Sequence, residues 1–492
     1  MALAYPDDSL ALHTDAYQLS MMQTYFMKGI HERKAVYEMY FRKMPFKNGY
    51  AVFAGLERLV GVLKDLHFSE SDLEYLRSTG QFNEEFLNYL KNWRFKGTVR
   101  TPHEGDIVFN NEPIVQVEAT VFDAQLIETP LLNIVNYQTL IATKASRIRS
   151  VVGEQSLMEF GSRRAQEMDA AIWGTRAAYI GGFDATSNVR AGKLFGIPIS
   201  GTHAHSLVQV YRNDYDAFKA YAETHHDVVF LVDTYDTLRS GVPAAIRVAK
   251  EMGDKINFVG VRIDSGDLAY VSKGVRKMLD EAGFKDASIV ASNDLDETTI
   301  KSLKFQDAKI DTWGIGTKLI TAYDQAALGG VYKVVSVENE NGQMTDTIKI
   351  SGTAEKISTP GQKQVWRITR NSDGKSQGDY VALWDENPQN LPNGLYMFHP
   401  NHTYLSKTVV DYTARPILKD IFVDGELVYE LPSLDDVREF TKRHVNSLYS
   451  EYRRDMNPQE YPVDLSQAAW DHKMNLIKAT REYVDQIDQT QE

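Results

Sequence analysis

Six short apolar runs in the middle of the chain constrain its fold more than any other feature of the sequence. The runs lie at 157–160, 197–200, 228–232, 258–263, 289–291 and 313–315. Helical patterns, such as those at 243–252 and 268–282, separate most of them. Strands that alternate with helices indicate parallel strands joined by crossover helices. The sequence therefore predicts an α/β fold, either a barrel or a doubly wound sheet.

Small, polar or charged residues follow each run, at 161–164, 201–206, 233–236, 264–267, 292–294 and 316–318. In an α/β barrel the carboxyl ends of the strands meet on one face, where such enzymes place their catalytic residues. Aspartate, serine and asparagine are also common helix N-caps. Capping does not account for Arg163, Arg164 and Arg262, or for His203 and His205. We therefore predict one active site that the strand ends share.

The remaining segments predict three further parts of the molecule around a barrel at 151–337. Residues 1–150 predict an N-terminal α+β domain with a β layer and a connecting helix from about Pro130. Residues 338–395 predict a small β-rich insertion, with a hairpin turn at 371–374. We expect 396–492 to be mainly helical and to pack on the N-terminal domain or the barrel.

Composition narrows the possible functions. The net charge of −13 argues against broad nucleic-acid binding, which needs a positive surface, but leaves small anionic ligands open. The chain has no cysteine, which excludes disulfides and thiolate catalysis. No apolar run approaches the roughly 18 residues of a membrane helix, and the first residues lack the layout of a targeting signal. We expect a soluble, cytoplasmic protein with neither nucleic-acid nor membrane partners.

Familiar cofactor motifs are absent from the sequence. We find no P-loop, no glycine-rich dinucleotide fingerprint after a strand, and no His-Glu-x-x-His metal motif. His203 and His205 are two residues apart, which is weak support for a metal without a third ligand. The sequence predicts no protein metal site, although its strand ends are suited to binding phosphate.

Five blocks at these strand ends and near the N-terminus carry a family resemblance. They are Thr14-Asp15-Ala16-Tyr17-Gln18, Glu159-Phe160-Gly161-Ser162-Arg163-Arg164, Gly201-Thr202-His203-Ala204-His205-Ser206, Val261-Arg262-Ile263-Asp264-Ser265-Gly266-Asp267-Leu268 and Gly314-Ile315-Gly316-Thr317. Their content and order resemble the signature blocks of the nicotinate phosphoribosyltransferase family. The resemblance implies an irregular α/β barrel of the type II phosphoribosyltransferase kind, with a β-containing N-terminal domain. It also implies a homodimer with active sites near the subunit boundary.

The resemblance implies a reaction and its reactants. Nicotinate and phosphoribosyl pyrophosphate would give nicotinate mononucleotide and pyrophosphate, the first step of NAD salvage from nicotinate. ATP would be a co-substrate, with His205 as the histidine that it phosphorylates. Mg²⁺ is implied by the pyrophosphate donor. His203 departs from the apolar residue that is common at its position in relatives.

The resemblance also assigns roles to single residues. Tyr17, Thr202 and Arg262 match the nicotinate contacts, since arginine offers a charged fork to a carboxylate. Asp264 matches the ribose-binding aspartate, which would stabilise the oxocarbenium character of the transition state. Thr317 matches a contact to phosphoribosyl pyrophosphate. Further candidates for the substrates or the pyrophosphate are Arg163, Arg164, Ser292, Asn293, Gly314 and Gly316.

Several of these residues have structural alternatives. Asp264 is also suited to capping a helix at 268–282, Tyr17 to packing on an N-terminal helix, and Gly316 to a simple turn. Competing functions are a nicotinamide or quinolinate phosphoribosyltransferase, or an inactive barrel that serves as an interaction protein.

Overall fold

The computed structural model describes residues 10–352 and 356–491, so residues 1–9, to which part of the targeting-signal prediction refers, lie outside the described residues. The chain divides into two compact units. We call Leu140–Ala326 the barrel unit. The split unit consists of the described residues on either side of it in the sequence, up to Thr139 and from Ala327.

Helices and strands are numbered in chain order. The helices are α1 Ala16–Met27, α2 Leu56–Asp65, α3 Glu70–Ser78, α4 Glu84–Lys91, α5 Val121–Leu126, α6 Glu128–Val152, α7 Glu167–Ile180, α8 Val189–Phe195, α9 His205–Tyr211, α10 Asp214–Ala222, α11 Val242–Met252, α12 Leu268–Glu281, α13 Glu297–Phe305, α14 Thr317–Ile320, α15 Leu434–Ser447, α16 Ser450–Arg453 and α17 Gln467–Gln491. The strands are β1 Lys34–Phe41, β2 Ala51–Val52, β3 Thr98–Thr101, β4 Ile107–Val108, β5 Val115–Thr120, β6 Ser156–Glu159, β7 Ala185–Thr186, β8 Asp227–Leu231, β9 Asn257–Ile263, β10 Ser288–Ala291, β11 Thr312–Ile315, β12 Gly330–Glu338, β13 Met344–Asp346, β14 Lys363–Arg370, β15 Ser376–Leu383, β16 Leu395–Phe398, β17 Ser406–Val409, β18 Tyr412–Pro416, β19 Lys419–Val423, β20 Glu426–Leu427 and β21 Val463–Leu465.

The barrel unit contains a six-stranded sheet in the order β7-β6-β11-β10-β9-β8. Every neighbouring pair is parallel, and helices connect the strands. The strands are rich in buried apolar side chains, such as Leu157, Phe230 and Ile289, as expected of a parallel sheet covered on both faces. The predicted α/β architecture is confirmed as a curled sheet that forms part of a barrel.

One predicted strand, at 197–200, differs from the structure. Its backbone makes only a single bridge, between Ile199 and Thr186 of β7. Pro198 lacks an N–H and supplies only its carbonyl oxygen, which accepts from Thr186 N, so the ladder stays short. Three residues later, His203 accepts a hydrogen bond from the backbone N–H of Leu231 in β8. The segment from Pro198 to His203 thus contacts both edge strands of the sheet.

Close approach of two barrel strands requires glycine at position 260. A Cβ atom there would clash with the carbonyl oxygen of Ser288 in the neighbouring strand β10. Without that side chain, β9 and β10 pair in register from Gly260 to Ile263. This pairing places Arg262 and the end of β10 side by side at the predicted active site.

The split unit contains a seven-stranded sheet in the order β13-β12-β1-β5-β3-β19-β20. Its neighbouring strands are all antiparallel. A second sheet, β18-β14-β15-β21, includes the hairpin predicted around 371–374, which is confirmed by the antiparallel pairing of β14 with β15. Strands β17 to β20 occupy much of 406–427, and the C-terminal helices begin at Leu434.

Candidate active site

A cavity of about 190 Å³ lies at the carboxyl ends of the parallel strands in the barrel unit. Residues at the ends of β6, β9, β10 and β11 form its walls. Phe160 and Asp294 also line it, although no site role was predicted for either residue. The predicted site residues that line the cavity are Arg163, Arg164, Arg262, Asp264, Ser292, Asn293, Gly314, Gly316 and Thr317.

Arg262 is the centre of a hydrogen-bonded cluster in this cavity. Its Nε donates to Ser292 Oγ at 2.9 Å, and one terminal nitrogen donates to Thr202 Oγ1 at 3.0 Å. The other terminal nitrogen lies 3.2 Å from Asp264 Oδ1. Ser292 Oγ in turn donates to the same Asp264 oxygen. A guanidinium has five N–H groups, so this arrangement leaves one on each terminal nitrogen for a ligand.

Phe160 and Gly314 shape the wall beside Arg262. The Phe160 ring centre is 5.6 Å from the Arg262 guanidinium carbon, a cation–π distance. A Cβ atom on Gly314 would clash with the Phe160 ring. Glycine at 314 therefore provides the room that the aromatic ring occupies.

His205, the first residue of α9, lies next to two carboxylates. Its Nε2 is 3.8 Å from Asp264 Oδ2 and 4.0 Å from Asp233 Oδ1. Its Nδ1 is 3.1 Å from the hydroxyl oxygen of Thr234. The imidazole is partly exposed, with 39% of the side chain accessible. His205 is not itself part of the cavity wall, but its accessible ring lies next to Asp264, which is.

Asp233 supports the loop that carries Asp264. Its side chain is 2% exposed, and Oδ2 accepts from Asp264 N at 3.0 Å and from the Ser265 hydroxyl. Its Oδ1 is buried and has no hydrogen-bond partner among the described residues. Asp233 follows β8 as Asp264 follows β9, so its position after an apolar run was the signal that could have selected it.

His203 has a different environment from His205. It is buried against the rings of Phe218 and Tyr221. Its Nε2 accepts from Leu231 N at 3.1 Å, which leaves the ring proton on Nδ1, 3.3 Å from Ala204 O. Burial lowers its pKa, so the ring is held neutral. Both ring nitrogens are therefore engaged with the backbone, and His203 has a structural role.

The capping alternative for Asp264 does not hold. The N-cap of α12 is Asp267, whose Oδ1 accepts from Tyr270 N at 3.0 Å. Asp264 instead contacts Arg262, Ser292 and His205. Its carboxylate is thus a member of the strand-end cluster.

The loop after β10 has the backbone of a functional site. Asn293 and Asp294 both have positive φ, 105° and 43°, which is uncommon for residues other than glycine. Such conformations concentrate at ligand sites, where surrounding contacts maintain them. Both residues face the cavity, as does Thr317 at the start of α14.

Arg163 and Arg164 extend the cavity toward solvent. They belong to a short 3-10 turn, Ser162–Arg164. The turn is fixed by buried Glu159, which accepts from Gly161 N and from the hydroxyls of Thr175 and Thr186. Burial raises the pKa of Glu159 despite these bonds. Neither arginine has a carboxylate partner among the described residues, so both are free to bind an anion.

The remaining predicted residue, Tyr17, lies on α1 of the split unit and is 52% exposed. Its contact with nicotinate stays a prediction. In the part of the chain that the structure describes, no group of three or more histidine and acidic side chains is arranged to hold a metal ion. No helix there has the length and apolar character needed to cross a bilayer.

Family comparisons cover almost the whole chain. Three family models match: the nicotinate phosphoribosyltransferase N-terminal domain at residues 12–136, the nicotinate phosphoribosyltransferase family at 155–365, and the corresponding C-terminal domain at 362–473. Nicotinate phosphoribosyltransferase of Bacillus subtilis is 58% identical over 98% of both chains. The Dictyostelium discoideum enzyme of that name is 36% identical over 94% of this chain and 88% of its own. The crystal structure of human nicotinic acid phosphoribosyltransferase superposes with a TM-score of 0.83 at 30% identity, covering 94% of this chain and 99% of the human one.

Proposed function

The chain belongs to the nicotinate phosphoribosyltransferase family, and on that basis we propose that it couples the family's reaction to ATP hydrolysis through phosphorylation of His205. The reaction is the transfer of a phosphoribosyl group to nicotinate, a step of NAD biosynthesis. The pyridine nitrogen forms a bond to C1 of the ribose, and pyrophosphate leaves with the electron pair of the broken C–O bond. A chain without cysteine is compatible with the cytoplasm, where we place this reaction.

The Arg262 cluster is suited to the carboxylate of nicotinate. Arg262 retains one N–H on each terminal nitrogen, and Thr202 holds the guanidinium in place at 3.0 Å. Two parallel N–H groups match the two oxygens of a carboxylate. Phe160 supplies an apolar surface beside the guanidinium for the pyridine ring. Tyr17 would stack on that ring, as the family resemblance implies.

Asp264 is suited to the ribose. Its carboxylate is only 27% exposed and would lie near the carbon at which positive charge develops when pyrophosphate departs. A fixed negative charge stabilises such a transition state more than the ground state. The hydrogen bond from Ser292 and the contact with Arg262 hold the carboxylate in one orientation.

The phosphate groups would occupy the other side of the cavity. Thr317, Gly314, Gly316 and the strained loop with Asn293 offer hydroxyl and backbone donors for the 5′-phosphate. Arg163 and Arg164 carry charges that no carboxylate of the described residues pairs with, and they are suited to the pyrophosphate. Because the described residues form no metal cluster of their own, Mg²⁺ would arrive bound to the pyrophosphate oxygens.

The geometry of His205 carries the ATP proposal. Two carboxylates within 4.0 Å of Nε2 favour a proton on that nitrogen. The lone pair then lies on Nδ1, next to the Thr234 hydroxyl. An attack by Nδ1 on the terminal phosphorus of ATP would form the N–P bond as ADP leaves with the electrons of the broken O–P bond. The phosphoryl group would add negative charge and acceptor oxygens beside the donor site.

We also propose that the enzyme is a homodimer. The barrel unit exposes large apolar side chains, including Met168, Val189, Ile199 and Val210, which are 61–76% exposed. Exposed apolar side chains are typical of protein-binding surfaces where they form a contiguous patch. The family resemblance names a second copy of the chain as that partner, with active sites near the subunit boundary.

Phosphate labelling tests the ATP proposal. After incubation with isotope-labelled ATP, peptide mass spectrometry under conditions that preserve acid-labile phosphate should locate the label on His205. His205→Ala should lose the label and the ATP stimulation but keep slow synthesis, because Arg262, Asp264 and Thr317 remain. His226→Ala is the matched control, since that side chain is 73% exposed beside Asp227. Label on His203, or label retained in His205→Ala, would contradict the proposal.

A further inference from the structure

A second cavity, of about 170 Å³, lies entirely within the split unit. Its wall includes the charged side chains of Glu38, Lys363 and Lys473. It also includes the loop residues His399, Asn111 and Asn401. None of its residues belongs to the barrel unit or has a part in the reaction proposed above. The cavity therefore needs an explanation of its own.

One ion pair in the wall is complete. Lys363 Nζ lies 2.9 Å from Glu38 Oε2, and both side chains are at most 3% exposed. Lys363 also donates to the carbonyl oxygens of Thr359 and Pro360, and Glu38 accepts from Gln116. Each of these two charges therefore has its counterion within the protein.

Lys473, on α17, differs because the described residues supply it with no counterion. The partner of its Nζ among the described residues is the hydroxyl of Thr359, at 3.3 Å. Burial and the nearby Lys363 lower the pKa of Lys473 to about 8. An ammonium held at a cavity wall without a carboxylate is costly unless an anion from solution accompanies it.

Neutral donors line the same cavity as this cation. His399 Nδ1 accepts from the backbone N–H groups of Asn401 and His402, at 3.1 and 3.0 Å. The ring proton therefore resides on Nε2, which has no partner among the described residues. The side-chain amides of Asn111 and Asn401 are equally without described partners. Glu460, the other acid of the wall, is exposed and has no ion pair in the described chain.

We propose that this cavity binds a small molecule bearing one carboxylate or phosphate group, with the anion beside Lys473 Nζ. The His399 Nε2–H and the amides of Asn111 and Asn401 would donate hydrogen bonds to its remaining polar atoms. A carboxylate and a phosphate both present oxygen acceptors, which match the ammonium and the neutral N–H groups of the site. Exposed Glu460 disfavours a ligand of high negative charge.

Protection of Lys473 from acetylation tests the proposal on the wild-type enzyme. Trace isotope-labelled acetic anhydride acetylates neutral amines, and mass spectrometry reports the rate at each lysine peptide. Inorganic phosphate, and separately propionate, is titrated at constant ionic strength with chloride as the balancing anion. An anion at about ten times its Kd should slow acetylation of Lys473 about tenfold. Because the rate is read at Lys473 itself, phosphate bound in the barrel unit does not contribute.

Lys478 is the matched control within the same helix. It is 79% exposed and pairs only weakly with Glu482, at 3.9 Å. Saturable protection of Lys473 by phosphate or by propionate, with Lys478 unaffected, supports the proposal and identifies which anion is preferred. Equal rates with chloride alone, or parallel slowing at both lysines, would overturn it.

A variant provides an independent measurement. Lys473→Met removes the charge and keeps an unbranched side chain only one atom shorter, and Lys478→Met does the same on the exposed face. The protective anion raises Tm through every site that it binds, including the barrel unit, so the two variants are compared with each other. The rise should be smaller in Lys473→Met than in Lys478→Met, and equal rises in the two variants would refute the site.

Discussion

Ser292 bridges the two charged groups of the proposed active site, and Ser292→Ala removes that bridge. Its hydroxyl accepts from Arg262 Nε and donates to Asp264 Oδ1, and the residue is 4% exposed. Alanine fits the same space but removes both hydrogen bonds. Arg262 would keep its contacts with Thr202 and Asp264. The hydrogen bond from Nε would no longer restrain the orientation of its guanidinium plane.

The size of the effect follows from these contacts. A hydrogen bond to a charged group contributes about 1.5–3 kcal/mol. Two bonds are lost, but the contacts that remain to Arg262 and Asp264 recover part of that free energy. We expect about 2 kcal/mol less transition-state stabilisation, which is about a 30-fold fall in kcat/KM.

Steady-state kinetics with nicotinate and phosphoribosyl pyrophosphate measure this fall, and Ser292→Thr, which restores a hydroxyl, should recover part of it. Ser272→Ala is the control, because Ser272 is also buried and hydrogen-bonded, donating to Ala269 O and accepting from Lys309 N, both away from the cavity. Ser272→Ala should lower Tm without changing kcat/KM. If Ser292→Ala keeps kcat/KM within about twofold of wild type while its Tm falls, the hydroxyl only stabilises the fold, and the reasoning about Arg262 and Asp264 is wrong.

Two further predictions concern carboxylates. Asp264→Asn should keep the Tm, because Asp267 caps α12. It should lower kcat by about 10²-fold or more, because the negative charge near the ribose is lost. A wild-type kcat would show that this charge is not used. In the split unit, burial raises the pKa of Asp123 to about 6, even though Trp93 Nε1 donates to it. The folded pKa lies above the unfolded value, so its contribution to stability is complete below the unfolded pKa and is lost as the pH rises through about 6. Urea unfolding at pH about 5 and about 7 should therefore show Asp123→Asn gaining on wild type at the higher pH, by about 1 kcal/mol, whereas a pH-independent difference would contradict the assignment.

Local pattern was sufficient to predict the strand ends and most of the cavity. Apolar runs that stop at arginine, aspartate or glycine mark the strand termini, and parallel topology then brings them to one edge. The same pattern could not assign different roles to nearby residues of the same amino-acid type. Asp264 and Asp267 both precede α12, and only the folded loop shows which one is the cap. His203 and His205 differ through the contact of His203 with Leu231, 28 residues away.

Long-range pairing was beyond what the sequence could predict. Residues 338–395 were expected to form a separate insertion, but β13 pairs with β12 in the sheet that begins at β1. The pairing of Lys34 to Phe41 with a strand near residue 335 depends on which edges are available after folding, which local periodicity does not encode. The two-residue strand β7 was missed because it is too short to show alternation.

The order of strands in the split unit has a consequence for the synthesis of the polypeptide chain. Three adjacent strands, β1, β5 and β3, are made before the barrel unit, and the four that complete the sheet, β12, β13, β19 and β20, are made after it. A nascent chain therefore carries β1 and β3 as open edges while the whole barrel is translated. Unpaired edges of this kind recruit strands from other chains. Circular permutation that begins the chain at Ala327 would synthesise all seven strands without the barrel unit between them and shorten that period of exposure.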